Sequence, residues 1–561
     1  MSGRNISEIE LQIMWNRLLS VVEEQAQTLV RTAFSTSSRE AGDISAGVFD
    51  LEGRMLAQAV TGTPGHINTM ARSVGHFLDV FPVAQMQEGD VYVTNDPWKG
   101  TGHLYDLVVV SPAFMDGRIV GLFASTAHLV DMGGVGQTPE GRQIWHEGLF
   151  IPLLRLARAG EMNEDLLAMI RANVREPVQV IGDVYALIAC NEIGGRRLIS
   201  MMREFKLPNL DQLGGEIILR SRRAMTEAIQ KLPRGSWTSS MRVDGYESPI
   251  DIVGRVTIGD DTIHVDFTGT SGMSSYAINC PICYTEAYTT FGVNCVVAPH
   301  VPNNAGSLDA VKVTAPPGTV LSAEYPAAVY ARSTMGHLLP DVVYGCLDQA
   351  IPGRVPAEGT SNLWSLKLIA GHGLTGIGEK AGTPFMTMSF HSGGAGARPH
   401  QDGLSATPFP SGVRNVPVEA TEAITPLVIW RKELRPDSGG AGRQRGGLGQ
   451  VMEVGSREDA AFGLFASFER VKYPARGRNG GGPGGKGSVK LASGKEMGPK
   501  GLQVVPAGDR IIVSMPGGGG MGSPAERAAE AIERDVRLGY VTEEAARREY
   551  GYASLTPAEP E

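Results

Sequence analysis

From Ser7 onward, apolar residues recur every three or four positions, at Leu11, Met14, Leu18, Val22, Ala26, Leu29 and Ala33. That period places them on one face of a helix, and Ser7-x-x-Glu10 supplies a capping box at its start. The spacing predicts a long amphipathic helix over residues 7–36, laid across a sheet. The period then shortens. Ile44 to Phe49 and Arg54 to Val60 flank Asp50-Leu-Glu-Gly53 and read as a hairpin, with Asp43 at the mouth of its first strand. Val91 to Thr94 and Arg118 to Ser125 read as further strands. His103 and His128 then fall just beyond strand ends, where loops on a rigid sheet often carry sites.

The helical period returns over 158–204, with Ile193-Gly-Gly195 expected to break it, and over 209–231, where Pro233-Arg-Gly235 closes the helix. From Gly235 to about Gly269 the pattern alternates, through Trp237, Met241 and Val243, then Ile252, Val256 and Ile258, then Ile263, Val265 and Phe267. Alternation of this kind predicts antiparallel strands. Farther on, glycine becomes dense, in Gly393-Gly-Ala-Gly396, Gly439-Gly-Ala-Gly442, Gly446-Gly-Leu-Gly449, Gly480-Gly-Gly-Pro-Gly-Gly485 and Gly517 to Gly520. None of these clusters ends in the lysine-serine pair of a phosphate loop, so they are read as tight turns and close backbone packing among β segments. Ser523-Pro524-Ala-Glu526 predicts a capped helix running to about Leu538, ended by Gly539, and a last helix follows from Thr542 to about Tyr550. The expected architecture is mixed α+β in four parts. These are an N-terminal metal-binding α/β lobe (1–234), a central antiparallel β lobe (235–330), a glycine-rich β lobe (331–522) and a helical tail (523–561). No internal repeat is visible.

A chain of 561 residues has ample interior to shelter a buried polar site. Its 51 basic and 60 acidic side chains are scattered, and no basic tract points to nucleic acid. The longest apolar runs, Leu107 to Val110 and Ile119 to Ala124, are far shorter than the roughly 20 residues of a membrane span. Ser-Gly-Arg-Asn after Met1 does not resemble a secretory leader, so the cytoplasm is expected. Five cysteines, an odd count in a large chain, argue for reduced thiols, and Cys280-Pro-Ile-Cys283, with no second pair, reads as packing rather than a zinc ribbon.

The chemistry gathers between Asn95 and Asp131. His103 and Asp106 are three apart, a spacing that converges on a turn but not on an extended strand, and Gly100 and Gly102 permit such a turn. With His128 from the neighbouring strand and Asp43 from the hairpin mouth, a two-histidine, two-aspartate set can form. It suits manganese, iron(II) or zinc rather than calcium. The alternative is that each histidine caps a loop. His66, in Thr63-Pro-Gly-His-Ile-Asn68, is a candidate substrate contact or proton carrier, and Asp131 a candidate acceptor that fixes a ligand ring. His146 and Glu147 are candidate polar groups near the mouth. Arg398 and Arg445 either bind an anion or pair with backbone carbonyls. No Gly-x-Ser-x-Gly elbow, His-Glu-x-x-His pair or dinucleotide fingerprint is present.

These residues resemble the hydantoinase B family, which includes the B subunits of ATP-dependent hydantoinases and lactamases, the corresponding half of 5-oxoprolinase, and metal-bearing subunits of acetone and acetophenone carboxylases. The likeness runs through Ser38-Arg-Glu-Ala-Gly-Asp43, Asn95-Asp-Pro-Trp98, His103-Leu-Tyr-Asp106 and Ala127-His128 to Gly134. It continues through Asn304-Ala-Gly306, Gly396-Ala-Arg398, Leu434-Arg-Pro-Asp-Ser-Gly-Gly440 and Pro516 to Gly520. The resemblance implies a metal held by Asp43, His103, Asp106 and His128. It also implies a partner A subunit, in an A2B2 hetero-oligomer, that uses ATP to phosphorylate a carbonyl oxygen before the B subunit opens the ring of a cyclic amide. Lys99 and Leu129 stand where many members carry histidine, and Lys99 is a candidate for neutralising a phosphorylated or carboxylated intermediate. Two other readings are an ATP-dependent ketone carboxylase subunit and a non-catalytic scaffold for the A subunit.

Overall fold

The computed structural model describes residues 7–371 and 382–552. Residues 1–6, on which the leader reading rested, and 553–561 of the expected tail lie outside the described residues. The fold is mixed α+β, and contacts divide the chain into two compact units. The first comprises Met1–Met241, Ile250–Ala350 and Pro410–Ala420, and the second Arg242–Pro249, Ile351–Phe409 and Thr421–Glu561.

The first unit is organised by a seven-stranded antiparallel sheet in the order β2-β1-β5-β4-β3-β6-β7. Its strands are β1 (Ile44–Phe49), β2 (Met55–Gln58), β3 (Val91–Thr94), β4 (Asp106–Met115), β5 (Arg118–His128), β6 (Leu154–Arg158) and β7 (Glu161–Met162). Helix α1 (Glu8–Thr32) has its capping box formed by Ser7 and Glu10, as the sequence predicts, and a four-residue α2 (Thr36–Arg39) leads into β1. Leu11, Met14, Leu18 and Val22 of α1 are buried in one cluster with Val48, Val120 and Phe123 of the sheet. Each such side chain contributes roughly 1.5–3 kcal/mol. The other face carries Phe49, Leu122 and Ala124, packed on Ile67, Met70 and Phe77 of α3 (Pro64–Val80). The sheet is therefore covered on both sides, which is why β1 is buried along its whole length.

Residues 158–204 differ from expectation. They hold the end of the β6–β7 hairpin, α4 (Glu164–Asn173) and an unbroken α5 (Pro177–Glu204). Gly194 does not stop α5; a β-carbon there would stand 2.6 Å from the Phe123 ring, so the glycine seats the helix against β5. Helix α6 (Asp211–Gln230) agrees with its predicted span. A second sheet, β11-β10-β9-β8, follows, formed by β8 (Gly235–Val243), β9 (Ile250–Ile258), β10 (Ile263–Asp266) and β11 (Val311–Thr314). In it β10 pairs antiparallel with β9 and parallel with β11. Helix α7 (Ile282–Val297) packs on α3 and on this sheet. The cysteines are free, and Cys280 is buried. No described helix is long and apolar enough to cross a membrane.

The second unit is built on two four-stranded sheets, β13-β12-β16-β18 and β14-β15-β19-β17. The strands are β12 (Leu366–Ala370), β13 (Phe385–Ser389), β14 (Leu427–Leu434), β15 (Gln450–Ser456), β16 (Phe462–Ser467), β17 (Ser488–Leu491), β18 (Lys500–Val505) and β19 (Arg510–Ser514). Both sheets contribute to a shared core that includes Trp364, Leu368, Met452, Phe462 and Val513. The glycine clusters meet backbone to backbone. Gly518 donates to the Gly447 carbonyl at 3.0 Å and accepts from Gly440 at 2.8 Å, and Gly394 donates to the Pro516 carbonyl at 3.1 Å.

The tail departs from its predicted cap. Pro524–Glu526 is a single 3-10 turn, Ser523 makes no side-chain cap, and the helix begins only at Ala529. The reason is Arg527 between them. Its buried guanidinium bonds Asp402 through both terminal nitrogens at 2.8 Å and Asp535 at 2.6 Å, which holds the residue extended. Arg445 also reaches Asp535, at 3.0 Å, and Arg398 the Asp402 carbonyl, at 3.0 Å, so both arginines bind groups of their own chain.

Candidate metal centre

Four elements of the first unit converge at one end of the large sheet. Asp43 lies just before β1, and its carbonyl accepts from the His128 N–H at 3.1 Å. Asp106 opens β4 and is paired in register with His128, the last residue of β5. His103 lies in the loop before β4, and His66 in the first turn of α3. The loop reaches this place through Gly102 at φ +97°, where a β-carbon would lie 2.6 Å from the Arg332 side chain. His128 is thus inside its strand rather than beyond it.

The two oxygens of Asp106, itself fully buried, have different tasks. Oδ1 lies 2.7 Å from His103 Nε2 and 3.0 Å from His128 Nδ1. Oδ2 accepts from the Thr101 hydroxyl at 2.7 Å, lies 2.9 Å from His66 Nε2 and is bonded by Arg332. Arg332 also donates to the Thr101 carbonyl at 2.7 Å, and its guanidinium covers the Tyr284 ring at 4.2 Å. Asp43 stands 3.6 Å from His66 Nε2. Ligand atoms of His103, Asp106 and His128 all lie within 4.8 Å of one another.

These residues fit a cation. His103 Nδ1 faces the Tyr330 carbonyl at 2.8 Å, so the ring proton belongs there and Nε2 keeps its lone pair. Burial and the nearby Arg332 charge push His103 down to about 3, which keeps the ring neutral. A lone pair only 2.7 Å from a carboxylate oxygen is repulsive unless positive charge lies between them, and His103 Nε2 makes no hydrogen bond. Two imidazoles and a carboxylate form a donor set for a divalent transition metal. His66 differs: burial opposes its charging, but Asp106 and Asp43 outweigh that and raise it above the ordinary range.

The remaining candidates separate. Lys99 is exposed, outside the buried cluster. Asp131 is buried, but its carboxylate is held by Arg175 at 2.9 Å and by the Gly133 N–H at 3.0 Å, so it orders a loop rather than a ligand ring. His146 is exposed. Glu147 is buried and accepts from the Val329 and Tyr330 N–H groups at 2.6 and 2.8 Å, directly behind the carbonyl that orients His103. Arg332 and Tyr330 carry no sequence signal, since neither stands in a ligand-type spacing; only the fold brings them to Asp106 and His103.

Burial pushes the Glu147 carboxyl up to about 8. A carboxyl raised above its unfolded value of 4.5 stabilises the fold most below that value, and the contribution is lost as pH rises toward 8. Glu147→Gln keeps the acceptor and removes the titration. Its melting temperature relative to wild type is expected to be higher at about pH 9 than at about pH 5, and equal differences at the two pH values would refute this.

A family model for hydantoinase B/oxoprolinase matches residues 7–524. The chain belongs to that family. Among hydantoinase B/oxoprolinase relatives, the putative B subunit of a D-/L-hydantoinase from a Pseudomonas species is 28% identical, over 99% of this chain and 96% of its own length. The beta chain of the caprolactamase of Pseudomonas jessenii is also 28% identical, over 97% and 96%. A 5-oxoprolinase of Pestalotiopsis fici is 28% identical over 95% of this chain, which spans only 43% of that longer protein. In structure, the ATP-dependent caprolactamase from Pseudomonas jessenii superposes with a TM-score of 0.89 at 26% identity, covering 98% of this chain and 97% of the other. A nucleotide-free acetone carboxylase gives 0.83 at 19% identity over 98% and 80%, a likeness of fold.

Proposed function

We propose that this protein is the B subunit of an ATP-dependent cyclic-amide hydrolase, opening a ring whose carbonyl oxygen has been phosphorylated in a partner A subunit. The observation that carries this reading is the buried cluster in which ligand atoms of His103, Asp106 and His128 lie within 4.8 Å of one another, with His103 Nδ1 turned to the Tyr330 carbonyl. Family membership and relatives named for hydantoin, caprolactam and 5-oxoproline support the substrate class. The sequence offers no phosphate loop, which is consistent with ATP being used by the partner.

His103, Asp106 and His128 would hold the divalent ion, with Asp43 close by. Such an ion supplies Lewis acidity toward a carbonyl and acidity to water. Arg332 and Thr101 fix the outer oxygen of Asp106, so that the inner one keeps its aim. His66, set between two carboxylates that favour its charged form, is placed to deliver a proton from Nε2 to the departing ring nitrogen. The buried rings of Tyr105, Tyr284 and Tyr330 exclude bulk water.

Elemental analysis tests the site. Wild type is expected to retain about one divalent transition metal per chain, and His103→Ala to lose most of it; unchanged content in the variant would remove the assignment. Phosphate release with the purified A partner tests the reaction. Hydantoins or lactams are expected to trigger ATP turnover, and turnover with ketones plus bicarbonate alone would establish a carboxylase instead.

A further inference from the structure

Residues 329–332 form a buried strap that meets the cluster at two points. The Tyr330 carbonyl faces His103 Nδ1 at 2.8 Å, and the Arg332 guanidinium bonds Asp106 and the Thr101 carbonyl. One short segment orients two of the three residues that would hold the metal.

Two consecutive peptide groups carry the strap, and each is bonded at both ends. In the second, the Ala331 N–H donates to the Ala277 carbonyl at 2.7 Å while the Tyr330 carbonyl faces His103. In the first, the Tyr330 N–H donates to Glu147 Oε1 at 2.8 Å while the Val329 carbonyl accepts from the Arg332 N–H at 3.0 Å. Hydrogen bonds chained in this way strengthen one another. The Val329 N–H also donates to Glu147 Oε1, at 2.6 Å. A single carboxyl oxygen therefore fixes the peptide on which Arg332 closes its turn and, across the Tyr330 α-carbon, constrains the peptide that aims its carbonyl at His103.

The side chain of Glu147 has no other hydrogen bond among the described residues. It is 1% exposed, and its Oε2 is buried without a partner. The segment that delivers it follows His128 in the chain and is laced to the strap: the Ile144 N–H donates to the Pro326 carbonyl at 3.0 Å, and the Ile144 side chain packs with Leu104 and Val329. The chain leaving one ligand returns to lock the segment that orients the other two.

We propose that Glu147 is a positioning residue for the metal centre, setting the His103 ring and the Asp106 carboxylate together through residues 329–332 while bonding neither. The inference rests on the metal-centre reading above.

Cobalt(II) titration of the purified full-length chain, followed by visible absorption, tests it. Glu147→Asp keeps the carboxyl on a stem one methylene shorter, so it can hold the two N–H groups only by pulling the strap. It is expected to weaken cobalt binding about tenfold to a hundredfold and to change the shape of the absorption band. Glu147→Gln keeps the acceptor in place and is expected to match wild type in both. Leu213→Ala, which removes a side chain from the core cluster around α1, lowers the melting temperature without touching the strap and should leave affinity and band unchanged. If the Asp variant fails to fold, hydrogen exchange of wild type decides: cobalt is expected to slow exchange in peptides spanning 143–149 and 327–333, though neither supplies a ligand. A folded Asp variant that binds and absorbs like wild type, a Gln variant as weak as the Asp variant, or unaltered exchange in the strap would overturn the proposal and leave the metal assignment standing. Wild type that binds no cobalt sinks the metal centre and the proposal with it.

Discussion

Asp106→Ala is expected to lower the stability of the first unit by about 3–5 kcal/mol, beyond any loss of metal, because it strands a buried charge. Asp106 is fully buried, the Arg332 side chain is 4% exposed, and the two are directly bonded. Without the carboxylate, the guanidinium keeps the Thr101 carbonyl and the Tyr284 ring but has lost its counter-charge. Thermal melts with a chelator present isolate this effect from metal release. Replacing both partners with apolar residues, as in Asp106→Leu with Arg332→Met, should recover much of the loss while leaving the protein unable to hold a metal. If Asp106→Ala melts like wild type under chelation, the ion pair is not what anchors the loop.

Gly517→Ala is expected to damage the second unit as severely, though it adds one methyl group. Its β-carbon would fall 1.7 Å from the Ser438 carbonyl oxygen and 2.4 Å from its carbon. Nothing flexible stands in the way; the obstacle is main chain, in a layer where Gly394 and Gly446 are equally close to backbone carbonyls. A cost at or above about 3 kcal/mol follows, to be read as lost soluble yield and faster proteolysis. Gly215→Ala serves as the contrast: it lies in α6 with open space around its β-carbon, and alanine there should be neutral or stabilising by up to about 1 kcal/mol. Equal tolerance at both positions would refute the steric account.

What could be read in advance was local. The Ser7 cap, the hairpin after Asp43 and the His103-x-x-Asp106 turn are encoded within a few residues, and their structures agree with that reading. The glycine clusters also declared close backbone packing. What escaped depended on partners far along the chain. Gly194 looks like a helix breaker until Phe123 is placed against it. Ser523-Pro-Ala-Glu526 looks like a capped start until Arg527 is drawn to Asp402 and Asp535. Arg332 belongs to no motif, and Asp131 resembles a partner for a ligand ring until Arg175 claims it. In each case a long-range contact outweighed a local preference.

The seat of α5 on β5 has a consequence at the far end of that strand. Phe123 rests on Gly194, and His128 ends the same strand five residues later. Helix α5 packs on β4 as well as on β5, and His128 faces Asp106 through the register of those two strands. In a close-packed interior that transmits small displacements, a helix that lends the cluster no donor thus backs the two strands that carry Asp106 and His128.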